Sequence, residues 1–270
     1  MAELVCARPD VVLCEDWEDK TGQPTSNGWY DWAWGSPWLS PVVDSTFGHT
    51  SNRALKITVW SNVGPSPAER NYSGFVRNTV PNVSQGQSLY LRFYLYFSGG
   101  FVFVPGGSGA KLCYFNSWLG SQSQWRTRFS YAKTDGPGTK MRIGVDLSTA
   151  DPVLTPNVTQ TELVAARWYL VEGMIKINTP GQSNGEVRWW VDEVLNGQYT
   201  GQNINGGSAH PCNGITIDQY FGGAEENPRP QQYAWYDSIV AAAGYIGPKT
   251  VIPVGTVPGS AFNLQRRHSQ

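Results

Sequence analysis

The sequence predicts an all-β protein, a single two-sheet antiparallel sandwich followed by an extended Pro/Gly-rich C-terminal tail. Three observations carry that expectation. The 270 residues include 30 glycines and 18 prolines, spaced so closely that a helix of ordinary length finds little room. Apolar and polar residues alternate with period two in segment after segment. Neither a helical period nor an internal repeat interrupts these runs, so two sheets closing on one core is the simplest architecture.

The opening strand is VVLCEDWED at 11–19, and RALKITVW at 53–60 follows. In LYLRFYLYF, 89–97, Leu89, Leu91, Phe93, Leu95 and Phe97 share one face, while Tyr90, Arg92, Tyr94 and Tyr96 share the other, because successive strand side chains point to opposite sides of a sheet. The first set is core. The second is richer in rings than a face that meets only water. KLCYFNSW (111–118) comes next, then QWRTRFSY (124–131), which presents Gln124, Arg126, Arg128 and Ser130 on one side and Trp125, Thr127, Phe129 and Tyr131 on the other. Further strands are predicted at 140–147, 168–178, 186–194, 214–221 and 233–242, with NTPGQSNGE as a hairpin loop. After Ala243 the alternation stops. Residues 1–243 are therefore predicted as the sandwich and 244–270 as a tail able to contact neighbouring proteins.

Composition excludes several functions. Charged residues are 15% of the chain and the net charge is −1, so there is no electrostatic footprint for nucleic acid. No apolar run approaches the roughly 18 residues a membrane span requires, which argues against membrane insertion. The start, MAELVCARPD, lacks a basic region followed by an apolar stretch. An extracellular protein of this sequence would have shed its leader or left the cell by another route, such as lysis. Cys6, Cys14, Cys113 and Cys212 match no zinc ribbon or CxxC redox spacing. Cys6 and Cys14 bracket a turn and can close a short loop, leaving Cys113 and Cys212 to pair or to stay as buried thiols.

The stretch GGSGAKL at 106–112 invites a phosphate-loop reading, but Leu112 stands where that motif needs Ser or Thr, and a strand follows instead of a helix. Glycoside hydrolysis needs two carboxylates flanking the scissile bond, and CEDWED does not align its acids in that way. No serine sits in a GxSxG elbow. Lysis of an acidic polysaccharide asks for different groups: Arg, Lys, Asn or Gln to neutralise a uronate carboxylate, and a tyrosine, lysine or histidine to move protons. Arg92, Lys111, Arg126 and Arg128, with Tyr90, Tyr94, Tyr96, Tyr114 and Tyr220, are the candidates for such a cleft. Asn116 and Gln219 supply amides beside them.

Four segments, in order, carry a resemblance: CEDWED (14–19), LYLRFYLYFSGGFVFVPGGSGAKL (89–112), WYLVEGMIKINTPGQSNGEVRWWVDE (168–193) and the pair YFGGA and YAWYDSIVA (220–241). Together they resemble the concanavalin-like jelly-roll polysaccharide lyases of the glucuronan and alginate lyase type, over roughly residues 11–242. The resemblance implies a jelly-roll fold, a polyuronate substrate and β-elimination. Lys111 matches the lysine of the family's GGKL motif, and Arg126 and Arg128 lie on the strand that carries a substrate arginine. Two departures stand out. The family's tyrosine pair is missing from KMRIGVDL, where Met141, Ile143 and Val145 stand, so Tyr94 or Tyr131 is left to complete the catalytic set with Lys111 and Arg126. VDE at 191–193 replaces a glycine turn.

Substrate binding is then expected from Arg92, Arg128, Tyr90, Tyr96, Tyr114, Asn116, Gln219 and Tyr220. No cofactor is required. A structural calcium can be held by Asp16, Glu18 and Asp237 if the first and last strands pair. The same fold also hosts noncatalytic carbohydrate-binding modules and virion structural proteins such as capsid or tail decorations. The expected partner is an acidic polysaccharide or a surface glycan, met outside the cell or on a virion surface.

Overall fold

The computed structural model describes residues 4–22, 29–32, 41–49, 52–61, 75–103, 111–120, 122–132, 140–147, 150–219 and 229–248. Within them lie a 3-10 turn, Leu4–Ala7, and sixteen strands: β1 (Val11–Glu15), β2 (Tyr30–Trp32), β3 (Val42–Asp44), β4 (Ala54–Ser61), β5 (Phe75–Val83), β6 (Ser88–Phe97), β7 (Lys111–Leu119), β8 (Gln122–Ala132), β9 (Lys140–Leu147), β10 (Ala150–Leu154), β11 (Leu163–Val164), β12 (Trp168–Lys176), β13 (Gly185–Val191), β14 (Val194–Gln202), β15 (Cys212–Asp218) and β16 (Arg229–Ala242). All the strand pairings are antiparallel. The first sheet has the order β14-β13-β12-β6-β16-β4-β3 with β1 added beside β16. The second has the order β10-β9-β8-β7-β15-β5-β2 with β11 beside β9. The all-β jelly-roll sandwich read from the sequence is the observed architecture.

The period-two pattern explains the core. Leu89, Leu91, Phe93, Leu95 and Phe97 of β6 are fully buried and meet Phe115, Phe129, Ile215 and Ile217 of the second sheet in one cluster. Each such side chain contributes roughly 1.5–3 kcal/mol by leaving water. Two glycines admit large rings. A Cβ at Gly173 on β12 would lie 2.7 Å from the Phe129 ring of the opposite sheet, and one at Gly197 on β14 would lie 2.1 Å from the Trp189 indole beside it.

The hairpin between β12 and β13 is built on Asn178, which is fully buried. Its Oδ1 accepts the N–H groups of Ile204 and Asn205, and its Nδ2 donates to the carbonyls of Thr179 and Gln182 and to the side chains of Asn203 and Asn205. The segment 186–194, read as one strand, is instead two strands around a tight turn. Asp192 and Glu193 adopt φ of 49° and 66°, the left-handed pair that a two-residue hairpin turn demands. Without glycine at the turn, the sequence conceals β14.

Cys6 and Cys14 form a disulfide, whereas Cys113 and Cys212 are free and buried. Cys113 lies opposite Ile217, which puts Cys212 five residues further along β15. At about 3.3 Å per residue that offset far exceeds the reach of a disulfide.

The first residues of the predicted tail pack on the outer face of the first sheet. The Glu172 carboxylate accepts the N–H groups of Ile246 (2.8 Å) and Gly247 (2.9 Å), while Arg92 donates to the carbonyls of Gly247 (3.1 Å) and Ser238 (3.0 Å). Arg8 donates to the Tyr245 carbonyl, and Asp10 accepts the Gly244 N–H. Residues 249–270 lie outside the described residues.

Candidate functional site

The two sheets face each other through the core, so their polar faces point in opposite directions. This divides the predicted site residues into two groups. Tyr90, Arg92, Tyr94 and Tyr96 lie on the outer face of the first sheet, opposite Met174, Glu172, Leu170 and Trp168 of β12. Arg92 is fully buried beneath residues 244–248. Tyr94 stacks on His49 with ring centroids 3.7 Å apart, Tyr96 packs among Phe47, Trp168 and Trp235, and Tyr90 lies beside Trp190 and Tyr245. The ring-rich stripe on β6 packs against rings and a chain segment of the protein itself.

The other group gathers on the outer face of the second sheet. Strand register places Tyr114 opposite Arg128 and Asn116 opposite Arg126 across β7 and β8. Thr216 of β15 faces Tyr114 from the other side, and Asp146 of β9 lies opposite Arg128. Lys111 pairs with Ser130, and the register shifts between Lys111 and Cys113. Such a bulge adds a residue to one strand, so Lys111 and Tyr114, three apart, emerge on the same face while Leu112 and Cys113 enter the core. Strict alternation would have separated them.

The face is closely bonded. The Tyr114 hydroxyl donates to Asp218 Oδ2 at 2.6 Å, and Asn116 Nδ2 donates to Thr216 Oγ1 at 2.8 Å. Arg128 pairs with Asp146 at 3.0 Å. Arg126 is exposed, and with Arg128, Ser123, Gln124 and Trp125 it lines an open pocket of about 230 Å³. Lys111 is only 8% exposed. Burial pulls its pKa down from the ordinary lysine value; Asp218 and Asp146 oppose that shift, and Arg128 and Arg126 reinforce it. Burial, together with the Asp218 carboxylate that accepts its proton, pushes the Tyr114 phenol far up, so this tyrosine stays a neutral hydroxyl.

The remaining candidates fall elsewhere. Gln219 is fully buried and donates to the Tyr236 hydroxyl in the core. Tyr220 and the Tyr131 side chain lie outside the described residues. On β9, Met141, Ile143 and Val145 are core residues. The outward positions of that strand are Arg142, Gly144 and Asp146, none of them tyrosine. The calcium expectation is corrected: β1 and β16 do pair, yet the described residues hold no group of three or more His, Cys, Asp or Glu side chains able to share a metal ion. Asp237, fully buried, accepts the His49 N–H at 2.8 Å and the Ser238 hydroxyl, while Asp16 accepts the Glu18 N–H. Sequence reasoning passed over Asp146, Thr216 and Asp218. The last two share a parity in GITIDQYF that would have marked them as outward.

Residues 157–239 match the Polysaccharide lyase 14 family model. That stretch runs from the loop before β11 through the Asn178 hairpin to the bulge in β16. Solved structures share the fold, among them three lyases. The alginate lyase Aly36B superposes with a TM-score of 0.61 at 15% identity, covering 87% of this chain and 98% of its own. The endo-beta-1,4-glucuronan lyase of the fungus Trichoderma reesei gives 0.57 at 14% identity, with 86% and 95% covered. The PL-14 alginate lyase of Aplysia kurodai gives 0.55 at 17%, with 87% and 99% covered. No curated protein sequence matches the chain. The polysaccharide lyase 14 match agrees with the resemblance drawn from the sequence, and the solved structures share its jelly-roll fold.

Proposed function

We propose that the chain is an acidic-polysaccharide lyase that holds a polyuronate across the outer face of the second sheet and cleaves it by β-elimination. The observation that carries this reading is the convergence of Lys111, Arg126 and Arg128 with Tyr114 on one face of β7 and β8. A uronate carboxylate beside Arg126 and Arg128 loses its repulsion toward the charge that forms at C5. Lys111, disfavoured as a cation by burial, takes the C5 proton as a free amine. The C5–H electrons form the C4=C5 bond, the C4–O4 bond breaks, and O4 takes up a proton from the solvent side. Tyr94, on the opposite face of the molecule, takes no part.

A polymeric substrate suits an extracellular setting, and so does the Cys6–Cys14 disulfide. The test is a panel of polyuronates, glucuronan and alginate first, followed through the ultraviolet absorbance of the unsaturated product. Lys111→Ala is expected to lower kcat by about 100-fold or more, and Arg126→Ala to raise KM roughly tenfold through loss of a charge-assisted contact. A wild-type protein that binds a polyuronate yet releases no unsaturated product would leave a noncatalytic carbohydrate-binding module as the function.

A further inference from the structure

The site strands are tied down from beneath as well as bonded across their surface. Tyr236 of β16, fully buried, crosses the core from the first sheet. Its hydroxyl lies 3.2 Å from the Leu112 carbonyl and 3.1 Å from the Asp218 carbonyl, and it also receives the Gln219 amide. Leu112 adjoins Lys111, so one core hydroxyl contacts the backbone directly below Lys111 and below Asp218. Asp218 is itself 3% exposed and receives the Tyr114 hydroxyl at 2.6 Å. A buried carboxylate is costly unless it is bonded, and Asp218 at the end of β15 is bonded by the Tyr114 hydroxyl. Four groups thus meet at this end of the sheet: an amine, a phenol, a carboxylate and the core hydroxyl that holds their strands in register.

We propose that Asp218 is the positioning residue of this site: it fixes the Tyr114 hydroxyl beside Lys111 and so takes the place of the tyrosine pair that the chain lacks. The assignment rests on the lyase reading above and deepens it. With its proton directed at Asp218, the Tyr114 oxygen turns its lone pairs toward the cleft, while Asp218 keeps the phenol from serving as a phenolate base. The direction of the Tyr114 pKa, raised by burial and by Asp218, agrees with that geometry. Proton abstraction then falls to Lys111, and Tyr114 acts as a fixed neutral hydroxyl against the sugar.

The experiment compares wild type, Asp218→Ala, Asp218→Asn, Tyr114→Phe and Tyr114→Phe/Asp218→Asn on the best polyuronate of the panel, with melting curves to confirm folding. Asp218→Ala should lower kcat by about 100-fold, with KM changed less than about threefold, the signature of a group that acts on the reaction and not on binding. Asp218→Asn, whose carbonyl still accepts the phenol proton, should recover kcat to within about tenfold of wild type. Because the two residues act as one unit, the double variant should be no slower than Tyr114→Phe. Wild-type kcat in Asp218→Ala, or losses that multiply in the double variant, would overturn the assignment while leaving the lyase reading intact. A wild-type protein without activity on any polyuronate would remove both. If Asp218→Ala does not fold, the near-isosteric Asp218→Asn and Tyr114→Phe decide the matter through the same non-additivity.

Discussion

Lys111 shows how much chemistry a single position acquires from its surroundings. As a residue it was conspicuous in the sequence, the one cation after a glycine-rich turn. Its acidic neighbours Asp146 and Asp218 were not, because they come from β9 and β15. Burial lowers its pKa below the ordinary 10.5, so between the folded value and 10.5 the unfolded chain binds more protons. In that window stability rises with pH. Lysis that uses the free amine should climb through the same folded pKa, giving a kcat/KM limb below that of an ordinary lysine. Lys111→Arg keeps the charge but offers no free amine. It should therefore retain polyuronate binding in calorimetry while losing turnover about 100-fold; equal turnover in the arginine variant would reduce Lys111 to a holder of substrate charge. Tyr114 and Asp218 show the limit of reading residues singly. Tyr114 was a candidate in the sequence and Asp218 was not, and only their 2.6 Å contact marks them as a pair.

At the scale of elements, alternation identified β6, β7, β8, β9 and β12 closely, because one face of each is buried and the pattern is strong. It missed β14, whose outward and inward residues include small and polar types, and whose turn is made by Asp192 and Glu193 at positive φ instead of by glycine. The β13-β14 ribbon depends on Gly197, where the Trp189 indole occupies the space a Cβ would need. Gly197→Ala should therefore destabilise the fold by about 1–3 kcal/mol, read as a lower midpoint in chemical denaturation. Gly99→Ala, where nothing lies within 4 Å of the added carbon and the backbone is not left-handed, provides the control without overpacking. The bulge that turns Lys111 and Tyr114 to one face is likewise a property of the β7-β8 pair and not of either strand alone.

For the whole molecule, the decisive fact is that the two polar faces are back to back. The tyrosine-arginine stripe of β6 and the cationic cluster of β7 and β8 looked like parts of one cleft, yet the core lies between them. The first sheet's face is occupied by residues 244–248, held by Glu172 and Arg92. Burial raises the Glu172 pKa above the ordinary 4.5, although two backbone N–H groups, Arg92 and Arg8 oppose it. The folded chain thus binds the proton more tightly, and stability falls as pH rises from 4.5 through the folded value, then levels off. Glu172→Gln should abolish that slope and, by placing an amide where one N–H needs an acceptor, cost about 1–3 kcal/mol. Melting curves across a pH series, with limited proteolysis at 244–248, test this. An unchanged slope would assign the pH dependence to other groups.

The sequence by itself determined the all-β class, the position of the core-facing strands and the resemblance to jelly-roll lyases. These rest on local periodicity and on ordered motifs, which a linear chain displays directly. It also placed Lys111, Arg126 and Arg128 among the candidates by residue type. Tertiary structure alone decided which sheet each candidate joins and which face it occupies. It decided that Arg92 is spent on backbone carbonyls, and that Asp218 accepts the Tyr114 hydroxyl. The physical reason is that strand pairing and sheet packing bring together residues about 100 positions apart, such as Tyr114 and Asp218, and no local pattern records such a meeting.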